Sequence, residues 1–485
     1  MQSISFSAKP LANEIFRSAN SRIVTVLVAV VACAFGTMGA ILLVPRNATL
    51  AGALFPSALC MTVGLLAVPV TAILRQPRMI LRSEYLLAVA PIYWLLLDLL
   101  QGVYGMNAIT VEDITQGFIA IGVFVSMVWI GTLRKSWRVP RFVMNSVTPE
   151  FNTNTYFALA IIAFLIGMLN YAIACNFNIP IMFYYVGQER WSAPWGRGQL
   201  GGWDAFLDHL QYFGYLLPLL TVVVSRYSGW RNSRTIACIA MSAIMTLFLA
   251  QSGSRRVIGV VVGMAMVMWV LVQPKLRVRH FFVGCFAVVA LLVALQFMLE
   301  YRNVGLGVLV GQSSEAFMSR KTKQSVLEER YLRVDDNFYR LCQIIQLIPR
   351  TYPYVYHRYI FYVLVRPIPR VFWPNKPVDP GFDLPTALGV EGVSYSSSVI
   401  GELYMSLGLI GIAIGGWFYG RVASMANKLL SQCNTIAALV VYSIIVMALF
   451  SGLRSLLDLV LVSYVVLAWV ALSRLFRRIQ ARAKS

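Results

Sequence analysis

Charge is scarce in this sequence, and acidic charge is scarcer still. Charged residues make up 13% of the chain, with 20 Asp and Glu set against 41 Lys and Arg. With 58% hydrophobic residues and a mean hydropathy of +0.69, so few charges cannot cover a water-facing surface. A soluble globular protein is therefore excluded. The seven cysteines (Cys33, Cys60, Cys175, Cys238, Cys285, Cys342 and Cys433) form no CxxC pair and no metal-ligand spacing. That absence removes a disulfide framework and a zinc site, and leaves them as small apolar packing residues. No Walker loop and no GxSxG turn occurs, so ATP hydrolysis and serine acyl transfer lack support.

What the chain does have is apolar length. At roughly 20 residues per membrane crossing, suitable apolar runs recur about twelve times. They fall at 23–44, 50–74, 84–102, 116–133, 156–175, 208–225, 235–251, 256–273, 280–300, 400–420, 435–452 and 455–473. The pattern predicts an all-α polytopic membrane protein. Residues 1–300 hold nine spans, 301–399 form a large hydrophilic loop with amphipathic and interfacial helices, and 400–485 add three spans and a basic tail. The first run has no clear small-residue cleavage site and is too long for a signal sequence, so it reads as a retained helix.

A net charge of +21 would point to nucleic acid in a soluble protein, but here the positive-inside rule explains much of it, and no nucleic-acid partner is expected. Every second connection is basic and almost free of acids: Lys9, Arg17 and Arg22; Arg75, Arg78 and Arg82; Arg134, Lys135, Arg138 and Arg141. The series continues through Arg226, Arg231 and Arg234; Lys275, Arg277 and Arg279; Arg421 and Lys428; and the tail from Arg474 to Lys484. This parity puts both termini in the cytoplasm and the large loop outside.

Several features converge on the outer side. Asp98 falls near the end of the third span, as a ligand-facing carboxylate or a structural hydrogen-bond partner. The outer loop 176–207 carries Tyr184, Tyr185, Trp191, Trp195 and Trp203 with Gly196, Gly198, Gly201 and Gly202. It reads either as a lid or as an ordinary aromatic belt. Arg255 and Arg256 are adjacent in a short outer turn, against the orientation bias. They suit phosphate oxygens, or a salt bridge to Asp98, Glu402 or Asp458. In 301–399, DDNFYRLCQIIQLIPR predicts an amphipathic helix capped by Asp335 or Asp336, with Phe338, Leu341, Cys342, Ile345 and Ile348 on one face. YVYHRYIFYVLVR is apolar but too short to span, and its His357 is either an interfacial polar tip or a catalyst. Pro367, Pro369, Pro374, Pro377, Pro380 and Pro385 then forbid regular structure around Arg366, Arg370 and Lys376. The chain next enters a hydrophobic helix at Glu402. Arg454 and Asp458 sit in the final outer turn, and with Asp98 and Tyr395 they form a secondary set of candidates.

SGSRR after one span, followed by RPIPRVFWPNKP leading into GELYMSLGLIG, resembles the bacterial O-antigen or oligosaccharide repeat-unit polymerases of the Wzy type. The resemblance covers the twelve-span layout, the long outer loop and these motifs. It implies a GT-C-like glycosyltransferase of the bacterial inner membrane that needs no nucleotide sugar and no metal cofactor. The implied donor is a growing glycan on undecaprenyl pyrophosphate, and the acceptor is a repeat unit on the same lipid. A flippase and a chain-length co-polymerase are the implied partners. Arg255, Arg256, Arg366 and Arg370, assisted by Lys376, would hold the departing pyrophosphate. Glu402, Asp336 and His357 are the candidate bases for the acceptor hydroxyl. An O-antigen ligase fits a similar layout, and a lipid-linked oligosaccharide flippase is the main non-enzyme alternative. A flippase, however, should carry internal repeats and polar residues at mid-membrane depth.

Overall fold

In a computed structural model, the protein is described for residues 19–190, 192–196, 203–273, 276–301, 305, 331–390 and 394–482. Trp191, Gly198, Gly201 and Gly202 of the aromatic loop lie outside the described residues, as do Lys9, Arg17, Lys275 and Lys484.

The described chain is a helical membrane protein. The helices are α1 (Ala19–Leu42), α2 (Phe55–Arg75), α3 (Ser83–Leu100), α4 (Val111–Leu133), α5 (Thr153–Ala174), α6 (Phe206–Ser228) and α7 (Ser233–Gln251). They continue as α8 (Arg255–Leu271), α9 (Val278–Tyr301), α10 (Asn337–Leu347), α11 (His357–Val365), α12 (Ser398–Gln432), α13 (Ile436–Ser451) and α14 (Leu456–Arg482). Among the described residues, 10 helices are long and apolar enough to cross a membrane. The two remaining expected spans are helices too, but shorter: α8 has 17 residues and α13 has 16. The amphipathic segment forms α10, whose expected apolar face (Phe338, Leu341, Cys342, Ile345 and Ile348) is buried. The short aromatic segment forms α11, only 9 residues long.

Buried apolar side chains gather into two clusters. One is built on α5 to α8 and α14, the other on α1 to α4 with α10. Helices α12 and α13 contribute to both and so hold the halves together. Glycine makes the closest of these contacts possible. A Cβ on Gly416 would meet the Phe124 carbonyl of α4, and one on Gly420 would meet the Val128 carbonyl. With little hydrophobic drive between helices in lipid, such backbone approach is a main source of attraction.

Two irregularities shape the end of the bundle where the candidate residues lie. In α3, Pro91 lacks the N–H that would continue the ladder, and the next turn, Ile92–Leu96, widens into a π-helix. Within it the Trp94 carbonyl accepts a hydrogen bond from Asn337 Nδ2 at 2.8 Å, which docks the start of α10 on α3. In α12, the uniform helix expected over 400–420 is broken at Leu407 and Gly408, where Gly408 takes φ +62°. The first segment folds back on the second, so that the Leu403 carbonyl and side chain occupy the space that Cβ atoms on Gly411 and Gly415 would need. Loop residues Val355 and Tyr356 donate their N–H groups to the carbonyls of Met405 and Ser406, at 2.9 and 3.0 Å. The carbonyls freed at the break are thereby satisfied.

Overpacking at such a helix contact costs about 1–3 kcal/mol. Gly420→Ala should therefore lower the thermal midpoint of the detergent-purified protein. Gly284→Ala, with nothing within 4 Å of its Cβ, should not. Equal midpoints for the two variants would show that the α4–α12 approach does not limit stability.

Candidate functional site

Helix ends supply the site. The last turn of α3, the first of α8, the folded-back start of α12 and the turn joining α13 to α14 meet at one end of the bundle. Val399 N–H donates to the Leu453 carbonyl at 2.9 Å, which ties the start of α12 to that turn. A cavity of ≈ 260 Å³ lies between the start of α8, the start of α12, the α13–α14 turn, α11 and the proline-rich segment that follows α11. Of the sequence candidates, Arg256, Arg366, Arg454, Glu402 and Tyr395 line this cavity. Tyr359, Tyr362 and Ser455 join them on the wall.

Glu402 is buried, at 2% exposure, and does not start the helix as expected: α12 begins a turn earlier, at Ser398. Its Oε1 accepts from Tyr359 Oη at 2.5 Å and from Ser455 Oγ at 2.8 Å. Its Oε2 accepts from the Leu456 N–H at 2.6 Å. The last contact satisfies an otherwise unpaired donor at the start of α14, where the helix dipole favours negative charge. Glu402 thus has a structural task, and Oε2 keeps accepting capacity. Burial raises the Tyr359 phenol well above its usual value, and the Glu402 charge and hydrogen bond raise it further. Tyr359 stays protonated and donates to Glu402, leaving its oxygen lone pairs to accept from a group in the cavity.

The arginines are held by carboxylates. Arg454 pairs with Asp335 through Nε and with Asp458 at 3.3 Å. Arg256 pairs with the other Asp458 oxygen, and Arg255 reaches Asp335 at 3.7 Å and the Arg333 carbonyl at 2.5 Å. Three guanidiniums against two carboxylates leave the network one positive charge in excess. Arg366 adds another: it is exposed and donates to Tyr362 Oη at 2.7 Å. Of the salt-bridge partners considered for the arginine pair, Asp458 is the one engaged, by Arg256. Asp335 was expected only as a helix cap. Burial pushes its carboxyl up, but the Arg454 guanidinium, aided by Arg255 and Arg256, outweighs burial and holds it below the usual carboxylate value. Burial likewise opposes the charge on Arg454, and Asp335 and Asp458 together raise its pKa further above normal.

The remaining candidates lie outside the cavity wall. Asp98 is buried at the end of α3, where it takes a hydrogen bond from the Val334 backbone. With Gln101, which exchanges hydrogen bonds with Leu332 at 2.7 and 3.1 Å, it anchors the strand of chain that delivers Asp335. Asp336 occupies the N-cap position of α10 but makes no side-chain cap; it pairs instead with Arg340 at 2.6 Å. His357 is exposed at the first turn of α11. Lys376 Nζ donates to the carbonyls of Arg366 and Ile368, both at 2.6 Å, closing the proline-rich loop. Arg370 is exposed on that loop, and Arg255 acts through Asp335 instead of lining the cavity. No group of three or more His, Cys, Asp or Glu suited to a metal occurs among the described residues.

Sequence reasoning passed over Tyr359, Ser455 and Arg340. Tyr359 has no mark separating it from the interfacial tyrosines around it, and Ser455 was visible only as the neighbour of Arg454 in SGLRSLLD. Fold and site define a helical membrane protein with a cationic, tyrosine-lined cavity at one end of its bundle. No family model matches the chain, and no curated protein or solved structure does either.

The depressed pKa of Asp335 gives the network a pH dependence. Its contribution is fully present above the unfolded-state value, near 3.9, and is lost as pH falls through the lower folded value. Because Asp335 is partly exposed, solvent screening keeps this to about 1 kcal/mol. Thermal midpoints measured from pH 7 to pH 3 should fall for the native protein. Asp335→Asn should start lower and show a shallower acid decline; parallel curves would remove Asp335 as a source of it.

Proposed function

We propose that the protein is a polysaccharide polymerase of the bacterial inner membrane, working on glycans linked to undecaprenyl pyrophosphate at the periplasmic face. One observation carries this reading: Arg256, Arg366 and Arg454 share a cavity with the buried Glu402–Tyr359 pair, at the bundle end that charge parity assigns to the outside. Guanidinium forks match phosphate oxygens, and a buried carboxylate beside them matches a hydroxyl that must lose a proton. The motif resemblance points the same way.

In the reaction, the acceptor sugar's hydroxyl oxygen bonds to the anomeric carbon of the donor glycan. The bond from that carbon to the pyrophosphate oxygen breaks, and undecaprenyl pyrophosphate leaves with the electron pair. Negative charge grows on the leaving oxygen, where Arg256 and Arg454, already oriented by Asp458 and Asp335, stabilise it without reorganising. The hydroxyl proton passes to Glu402, directly or through the Tyr359 oxygen as Tyr359 hands its own proton on. Arg366, at the exposed rim, meets the diphosphate first. Arg370, Lys376, Asp336 and His357 take no direct part in this scheme.

Purified protein given lipid-pyrophosphate-linked repeat units should build a ladder of products. One transfer to a different acceptor would instead make it a ligase, and lipid translocation without product a flippase. Arg454→Ala and Arg256→Ala should each abolish chain growth at normal protein levels. Glu402→Gln should slow it by about two to four decades. Unchanged ladders from all three variants would remove this cavity from the chemistry.

A further inference from the structure

Arg340 was not among the candidate residues, yet it is fixed on several sides. Its Nη2 bonds Asp336 at 2.6 Å, its Nη1 bonds Gln343 Oε1 at 2.9 Å, and its Cζ lies 3.7 Å from the centroid of the Tyr395 ring. That contact covers one face of Tyr395. Tyr395 is on the cavity wall and Arg340 is not, so the ring is held by a cation that lies outside the cavity. Among the described residues no other ring or guanidinium stacks on Tyr395. An aromatic ring that lines a polar cavity and is covered on one face by an immobilised cation is held in one plane, with one face left for stacking. The cation draws electron density away from the open face, so its service is to hold the ring and not to strengthen the stack.

The surroundings indicate what would stack there. Ser394, Ser396, Ser397 and Asp383 line the same cavity and offer hydroxyl and carboxylate groups, the partners that sugar hydroxyls require. Ser396 Oγ donates to the Arg454 backbone carbonyl at 3.2 Å, which fixes the ring's segment to the turn bearing the proposed diphosphate ligand. A volume of ≈ 260 Å³ is below the roughly 300–1,000 Å³ of pockets that enclose whole small-molecule ligands. The cavity therefore suits a diphosphate and the sugar next to it, not a full repeat unit.

We infer that Tyr395, held in plane by Arg340, is a sugar-stacking platform for the pyranose attached directly to the lipid diphosphate. This rests on the reading above, and it adds a subsite that recognises the glycan separately from the diphosphate. An aromatic contact of this kind contributes about three- to ten-fold in affinity.

The test compares binding of bare undecaprenyl pyrophosphate with that of its glucosyl and N-acetylglucosaminyl derivatives to the full-length detergent-purified protein. The native protein should bind at least one glycosylated lipid about three- to ten-fold more tightly than the bare one. Tyr395→Phe should keep that ratio. Tyr395→Ala should bring it to about one while leaving affinity for the bare lipid intact, which also shows that the variant is folded. Should Tyr395→Ala lose both ligands, Tyr395→Leu, which keeps bulk against Arg340, reads the same ratio. Arg340→Gln should reduce the ratio part of the way. A native protein that binds bare and glycosylated lipids equally, or a ratio that survives loss of the ring, overturns the platform alone. A native protein that binds none of these lipids overturns the diphosphate reading and the platform with it.

Discussion

The bridge that Arg454 makes between Asp335 and Asp458 is the interaction on which this end of the molecule depends. It joins the segment before α10 to the turn that leads from α13 into α14, positions 119 residues apart in the chain. Charges at a low-dielectric boundary are costly to hold unpaired, so each member of the set fixes its neighbours. Arg256 is drawn in through Asp458, and Arg255 through Asp335. The result is a rim of guanidiniums whose orientations are set by the protein itself, with one positive charge in excess of its carboxylates.

Glu402 works by the same logic with different donors. Paired with no arginine among the described residues, it is surrounded by a phenol, a hydroxyl and a backbone N–H. Its position comes from the break at Leu407–Gly408, which folds the start of α12 back on the rest of the helix and sets that carboxylate against the start of α14. A continuous helix could not do both. The broken helix and the π-turn in α3 are thus parts of one device: irregular backbone in a membrane bundle, satisfied by neighbouring groups, at the place where polar side chains gather.

The layout of helices was legible because membrane burial demands long apolar runs, and run length is a one-dimensional property. Even the two shorter helices, α8 and α13, fall where apolar runs place them. The apolar face of α10 followed from periodicity for the same reason. The site was legible only in part. Arg256, Arg366, Arg454, Glu402 and Tyr395 share the cavity, whereas Lys376, which looks like a free cation in sequence, spends its charge on the carbonyls of its own loop. Asp336 looked like a cap and serves Arg340 instead.

Sequence by itself determined the fold class and the set of polar residues that helix ends would carry, since composition and spacing suffice for both. Tertiary structure alone decided which of those residues meet. Pairing Arg454 with Asp335 joins positions 119 residues apart, and bringing Tyr359 to Glu402 spans 43. Contacts at such separations are fixed by how helices cross and where they break, and neither is written in any local stretch of the chain.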